Sequence, residues 1–294
     1  MSALLLSAAL LPAWAQTVLG DKPAHISGAP SATANDDAIV ARIWAPGVDD
    51  GYVPQGLTFA EGQVLLATYR STDTRISTGP CRVFRVDPAS GRTTGQFDVS
   101  QACGHAGGLV YVGGGVLILA DTRVLYKLDM ARAFADGNTA NAELGRLLLS
   151  GAMKGSLVDA HADLLFIGAY EKDPLKAKGY FLPLSLFDTQ NGKTVSAASA
   201  LRSMPIATEA QGAAFDRSGA LWLSASSSQF GRLQKLDPQS GAVLAQHEII
   251  IGLEDIGFDG DGKLWAVSEA GSLRWSRWSK SFPIIFNLDL TRLK

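Results

Sequence analysis

The chain has 294 residues, 47% of them hydrophobic and 18% charged, with 31 glycines and a formal charge of -2. This composition suits one large globular unit rich in tight turns rather than a disordered or fibrous chain. The charge balance lacks the basic surplus that nucleic-acid binding requires, so no nucleic-acid partner is expected.

The first residues, MSALLLSAALLPAWAQ, read as an export signal. Ala3 to Leu11 form a short apolar run, and Ala13-Trp14-Ala15 is a small-x-small cleavage site. The run is too short to span a bilayer as a mature helix. Residues 1–15 are therefore expected to be a signal peptide and the protein to be periplasmic or secreted. Residues 16–37, with Pro23, Pro30 and many Ala, Ser and Gly, read as a linker. A single domain is expected over 38–294, beginning with the strand AIVARIWAP, Ala38 to Pro46.

From there the chain repeats itself. PQGLTFAEGQVLLATY from Pro54 returns as AGGLVYVGGGVLILAD from Ala106 and GSLVDAHADLLFIGAY from Gly155. It returns again as AQGAAFDRSGALWLSAS from Ala210 and LEDIGFDGDGKLWAVSE from Leu253. Each copy is an apolar strand, a Gly/Asp turn and a second apolar strand, at a period of roughly 45 to 55 residues that marks propeller blades or stacked arrays. After the first pair, CRVFRVDPASGRTTGQFDV adds two more strands around Pro88-Ala89-Ser90-Gly91. GRLQKLDPQSGAVLAQHEI does the same around Pro238-Gln239-Ser240-Gly241. Four antiparallel strands per repeat make a propeller blade. The last repeat supplies only three before Lys294, and the strand at Ala38 to Pro46 has no blade of its own. Pairing the two predicts an all-β, five-bladed β-propeller with a closed ring. A six-bladed ring would need another blade inside the insertions at 129–150 or 171–205.

The two cysteines, Cys81 and Cys103, are expected to form a disulfide in an oxidising compartment. It would staple the outer half of the first blade to the start of the second.

Strings such as QGLTF at Gln55, QGAAFDRSGALWLSAS at Gln211 and FDGDGKLWAVSE at Phe258 resemble the NHL, gluconolactonase-like and strictosidine-synthase-like propellers. For the gluconolactonase group, the resemblance implies a divalent cation at the channel mouth, beginning with a Glu just before the first strand of a blade. Here those positions hold Gln55 and Gln211, and only Glu254 is acidic. Five blades are also similar to plant-type glutaminyl cyclases, whose TQGL opening is matched by Gln55-Gly56-Leu57. The Glu that this resemblance implies in the next blade is not matched, since that stretch reads His105-Ala106-Gly107-Gly108-Leu109.

Propellers bind at one end of the central channel, where loops lead into each innermost strand and out of each second strand. The candidate ligand-binding residues there are Gln55, Tyr69, Arg70, Lys154, Tyr170, Gln211, Trp275 and Trp278. The carboxylates of Asp121, Glu254 and Glu269 are the candidate ligands for a Ca²⁺ or Mg²⁺ ion, with Asp255 beside them. His105 is the candidate general base. The loops leaving the second strands carry Arg70, Arg75, Lys172, Lys176, Lys178, Arg274, Arg277 and Lys280 among aromatics, which predicts a basic, aromatic rim that attracts anionic groups. The DGDG at 259–262 is a hairpin turn and not a calcium loop, because the twelfth position falls on Ala270. No GxSxG, HExxH or CxxC occurs. The first expectation is a monomeric exported propeller that binds a small-molecule or glycan ligand, or a protein partner, at that mouth. The second is a cation-dependent hydrolase or lactonase.

Overall fold

The computed structural model describes residues 17–280 and 282–294, so the signal-peptide reading of residues 1–15 lies outside the described residues. The strands are β1 (Ile39–Trp44), β2 (Tyr52–Ala60), β3 (Gln63–Arg70), β4 (Cys81–Val86), β5 (Thr93–Asp98), β6 (Ala106–Tyr111), β7 (Val116–Asp121), β8 (Val124–Asp129) and β9 (Glu143–Leu149). They continue as β10 (Leu157–His161), β11 (Leu164–Gly168), β12 (Lys178–Pro183), β13 (Thr194–Val195), β14 (Arg202–Pro205), β15 (Ala210–Phe215) and β16 (Leu221–Ser226). The last are β17 (Gly231–Leu236), β18 (Val243–Glu248), β19 (Leu253–Phe258), β20 (Leu264–Ser268) and β21 (Ile284–Leu288).

These strands form five sheets, β2-β3-β4-β5, β6-β7-β8-β9-β13, β10-β11-β12-β14, β15-β16-β17-β18 and β19-β20-β21-β1. They are blades 1 to 5 of a closed propeller. Antiparallel pairing of β1 with β21, from Ile39 opposite Leu288 to Trp44 opposite Ile284, supplies the outer strand of the last blade. That pairing removes two open edges at once. The insertion at 129–150 holds a helix, α1 (Met130–Asp136), and the outer strand β9. The insertion at 171–205 holds β12, a one-turn α2 (Leu186–Thr189), β13 and β14. No sixth sheet is made from them.

Alternation along each strand sends apolar residues into both faces of every blade, because each blade is covered by a neighbour on either side. The buried apolar residues fall into five clusters, one for each contact between neighbouring blades. Burial of this kind contributes roughly 25 cal/mol per Å² and is the main force holding the ring together. The repeat also repeats its turn chemistry. Asp87 accepts from Ala89 N at 3.0 Å and Ser90 Oγ at 2.7 Å, and Asp237 accepts from Gln239 N and Ser240 Oγ at the same two distances. Gly91 and Gly241 close these turns with φ of 72° and 76°, where a side chain would be strained.

The innermost strands crowd the axis. A Cβ on Gly56 would lie 2.8 Å from the Gly108 carbonyl carbon, and one on Gly212 would lie 2.5 Å from the Asp255 Cα. Glycine is needed there for close backbone approach. The stretch read as a linker lies against the ring. Leu19 N donates to Arg42 O and Trp44 N to Leu19 O, both at 2.9 Å, and Arg42 pairs with Asp36 at 3.0 Å. Among the described residues no helix is long and apolar enough to cross a membrane.

Candidate functional site at the channel mouth

At the end of the channel where β3, β7, β11, β16 and β20 terminate, a cavity of about 510 Å³ opens. Its wall includes Gln55, Tyr69, His105, Tyr170, Gln211, Glu254, Glu269, Trp275 and Trp278, all singled out from sequence. Lys172 and Arg274 add positive charge, giving a basic, aromatic cluster at the mouth.

One hydrogen-bonded chain runs across four blades. The Ser77 carbonyl oxygen lies 2.5 Å from His105 Nδ1, and His105 Nε2 lies 2.9 Å from Gln55 Oε1. Gln55 Nε2 donates to Glu269 Oε2 at 3.0 Å, and Trp275 Nε1 donates to the same oxygen at 2.6 Å. Glu269 and Glu254 hydrogen-bond each other through their side chains, and Gln211 Nε2 donates to Glu254 Oε1 at 2.8 Å. Two carboxyls can sit together this way only by sharing a proton, since two buried anions would repel. Burial, reinforced by the charge of Glu269, raises the Glu254 carboxyl well above its ordinary value. Burial likewise pushes Glu269 up to about 7, against hydrogen bonds from Trp275 and Gln55 that favour the anion. In this arrangement both nitrogens of His105 face oxygen acceptors, which the ring satisfies fully only as the imidazolium. Burial opposes that charge and lowers its pKa.

The aromatic wall is fixed by stacking. His105 lies on Tyr69 with centroids 4.3 Å apart, and Trp275 and Trp278 meet at 5.0 Å. Arg274 extends over Trp275 at 4.4 Å, donates to the Tyr69 hydroxyl, and reaches Thr74 O at 3.2 Å. Its Nε and the Ser226 hydroxyl are buried with no hydrogen-bond partner among the described residues. The disulfide between Cys81 and Cys103, with Cα atoms 5.8 Å apart, holds the loop carrying Ser77 beside the loop carrying His105. Gly79 N donates to Gly104 O at 2.8 Å across the same seam.

Other expected site residues lie elsewhere. Asp121 accepts from Gly104 N at 3.1 Å and His105 N at 2.9 Å, so it fastens the His105 loop and does not face Glu254 and Glu269. Asp255 is fully buried on the axis, accepting from Leu57 N at 2.9 Å, Leu109 N at 3.1 Å and Ala213 N at 3.3 Å. Among the described residues no group of three or more His, Cys, Asp or Glu side chains is arranged to hold a metal ion. The donor set Asp121, Glu254 and Glu269 thus does not fit a Ca²⁺ or Mg²⁺ cage.

The predicted rim is only partly basic. Arg70 turns away and donates to Asp50 O at 2.8 Å, Arg75 pairs with Asp73 at 2.7 Å, and Lys176 pairs with Asp173 at 3.0 Å. Lys154 lies outside the cavity wall. It contributes, after the Asp173 amide, to holding the Glu171 carboxyl low.

Glu209 was not anticipated. It lines the cavity and accepts from the Tyr170 hydroxyl at 2.8 Å. Its φ of 59° is a left-handed conformation that costs a non-glycine residue about 1 kcal/mol. Hydrogen bonds from Glu209 N to Glu171 O and from Ser226 N to Glu209 O hold it there. The only sequence signal was an acid two residues ahead of Gln211.

No family model matches this sequence, and no curated protein matches it. Among solved structures it is similar to the glutaminyl cyclase of Myxococcus xanthus, at 12% identity and a TM-score of 0.59. The match covers 85% of this chain and 94% of that one. It also matches a luciferin-regenerating enzyme at 14% identity and a TM-score of 0.45, over 82% of this chain and 92% of that one. The first likeness is one of fold. The second is too distant to bear on the site.

Proposed function

We propose that this propeller binds a small hydroxyl-rich acid, such as a sugar acid or the acidic end of a glycan, at its channel mouth. The observation that carries the reading is the chain from Ser77 through His105, Gln55, Glu269 and Glu254 to Gln211, lying beneath a wall of Tyr69, Tyr170, Trp275 and Trp278. Carboxyls and glutamine amides suit sugar hydroxyls, and the two indoles offer stacking area. Arg274, whose Nε has no partner among the described residues, and Lys172 supply positive charge for the acid. Glu209, held at a strained backbone position on the same wall, fits a site built for a ligand. The disulfide suits an exported protein. Calorimetric titration with D-glucuronate, and with D-glucose as the neutral control, tests this. Glucuronate should bind more tightly, lose affinity at high salt, and bind at least about tenfold more weakly to Trp275→Ala/Trp278→Ala. Equal affinity for both sugars, or an unaffected double variant, would remove this reading.

A second reading is favoured by the glutamate pair itself. One protonated carboxyl beside one carboxylate is an acid–base pair, able to move a proton to and from a carbonyl substrate. Lactone or ester hydrolysis is one such reaction. The fold likeness to a glutaminyl cyclase makes ring closure of an N-terminal glutamine another to assay. The test is activity that disappears in Glu254→Gln and Glu269→Gln, measured with and without added Ca²⁺ or Mg²⁺. Activity that appears only with the cation would favour a metal-dependent hydrolase over the pair acting alone.

A further inference from the structure

The opposite end of the ring carries a second cavity. The hairpins β10–β11, β15–β16 and β17–β18 all turn at that end, and a cavity of about 580 Å³ opens there between blades 3 and 4. Its wall is mainly apolar, with Phe181, Phe215, Leu164, Leu244 and the ring of His161. Among the described residues Arg202 is the one Lys or Arg in that wall. It stands opposite Phe181 across β12 and β14, and its guanidinium lies over the Phe181 ring, 3.3 Å from the centroid. Nη1 donates to Pro238 O at 2.6 Å, and among the described residues no carboxylate forms an ion pair with this arginine. Asp237 shares the wall; Gln239 N at 3.0 Å and Ser240 Oγ at 2.7 Å hold its carboxylate in the turn, out of direct contact with Arg202, although the two charges still act on each other.

We propose that this cavity is a second binding site, for a small amphipathic carboxylate whose acid meets Arg202 and whose apolar body lies along Phe215, Leu164 and Leu244. An arginine is a fork of donors matched to a carboxylate, and its stacking on Phe181 fixes the plane of that fork in advance. Burial lowers the pKa of Arg202 and outweighs the nearby Asp237 charge, which acts to raise it, so the guanidinium is only partly compensated. An incoming carboxylate would relieve that cost. The volume lies in the range of small-molecule pockets and is ample for a ligand of about a dozen heavy atoms. Leu244, 59% exposed on the lip, is an apolar contact that nothing within the ring covers.

The probe is 4-phenylbutyrate, with 4-phenylbutanamide as its uncharged control, titrated into the full chain by calorimetry. Saturable binding of the acid is expected, at least about tenfold tighter than the amide. Arg202→Gln should abolish the preference for the acid. Because Arg202 also ties blade 3 to Pro238, the Leu244 lip supplies an independent test. Leu244→Glu should weaken the acid and Leu244→Lys should tighten it, while both melt at the native temperature. Trp275→Ala/Trp278→Ala, at the other end of the channel, should bind the probe unchanged. The proposal is overturned if the acid does not saturate, if the amide binds equally, if the two Leu244 variants shift affinity alike, or if the tryptophan variant abolishes binding.

Discussion

Two adjacent acids of the last blade show how differently one channel treats its carboxyls. Asp255, on the axis, accepts backbone amides from blades 1, 2 and 4 and laces the inner strands together. Glu254, one residue earlier, faces the mouth and meets Glu269 and Gln211. Burial raises the pKa of both. The partners of Asp255 are main-chain groups that are present in every state of the folded ring. The partner of Glu254 is another acid, and their contact depends on a shared proton. The axis is thus a fastener, whereas the contact at the mouth depends on pH.

The sharpest way to break this comparison is Asp255→Ala. It strands three buried amides, each worth about 1–3 kcal/mol, so a loss of at least about 3 kcal/mol or outright failure to fold is expected in urea melts. A variant within about 1 kcal/mol of native would show that the axis needs no fastener. Next in size is the disulfide. Cys81→Ser/Cys103→Ser frees a loop with a sequence separation of 22 and should cost about 3 kcal/mol on the loop-entropy account. Native protein that alkylates at both thiols would contradict the bond itself.

The glutamate pair gives a smaller effect with a defined sign. A carboxyl whose folded pKa is raised contributes stability below its ordinary value, and that contribution is lost as pH rises through the folded one. For Glu269 this window runs from its ordinary 4.5 up through about 7. The melting temperature of native protein should therefore fall across this window, and Glu269→Gln, which mimics the protonated form, should flatten the fall. A variant whose melting profile parallels native would mean that the pair does not share a proton. Asp255 contributes with the same sign, so the difference between native and variant is the informative quantity. The smallest expected effect is at the rim. Arg75→Ala and Lys176→Ala should leave melting temperature and glucuronate affinity unchanged, because both cations already pair with neighbouring aspartates on exposed loops. A loss of affinity in either would return these loops to the binding surface.

The ring was legible in the residues because its information is local and repeated. Alternating apolar strands, Gly/Asp turns and the two DP-x-SG turns each act within a few residues of themselves. Closure by Ala38 to Pro46 followed from counting strands, and the disulfide followed from two cysteines beside neighbouring strands. Part of the mouth was likewise legible, since strand ends on one side of a propeller must converge, but Arg70 and Lys154 lie outside the cavity wall and Glu209 lies in it. The pairing of the mouth residues was not legible. Gln55 meets Glu269 across 214 residues, and Gln211 meets Glu254 across 43. Nothing local separates Asp121, which fastens a loop, from Glu269, which shares a proton. Arg70 and Arg274 look alike in sequence, yet one bonds a surface carbonyl and the other is buried against Tyr69 and Trp275. The sequence by itself determined the blade, the count of blades and the end of the channel where side chains gather. Only the tertiary structure decided which charges face one another, because burial and distance between residues far apart in the chain set that chemistry.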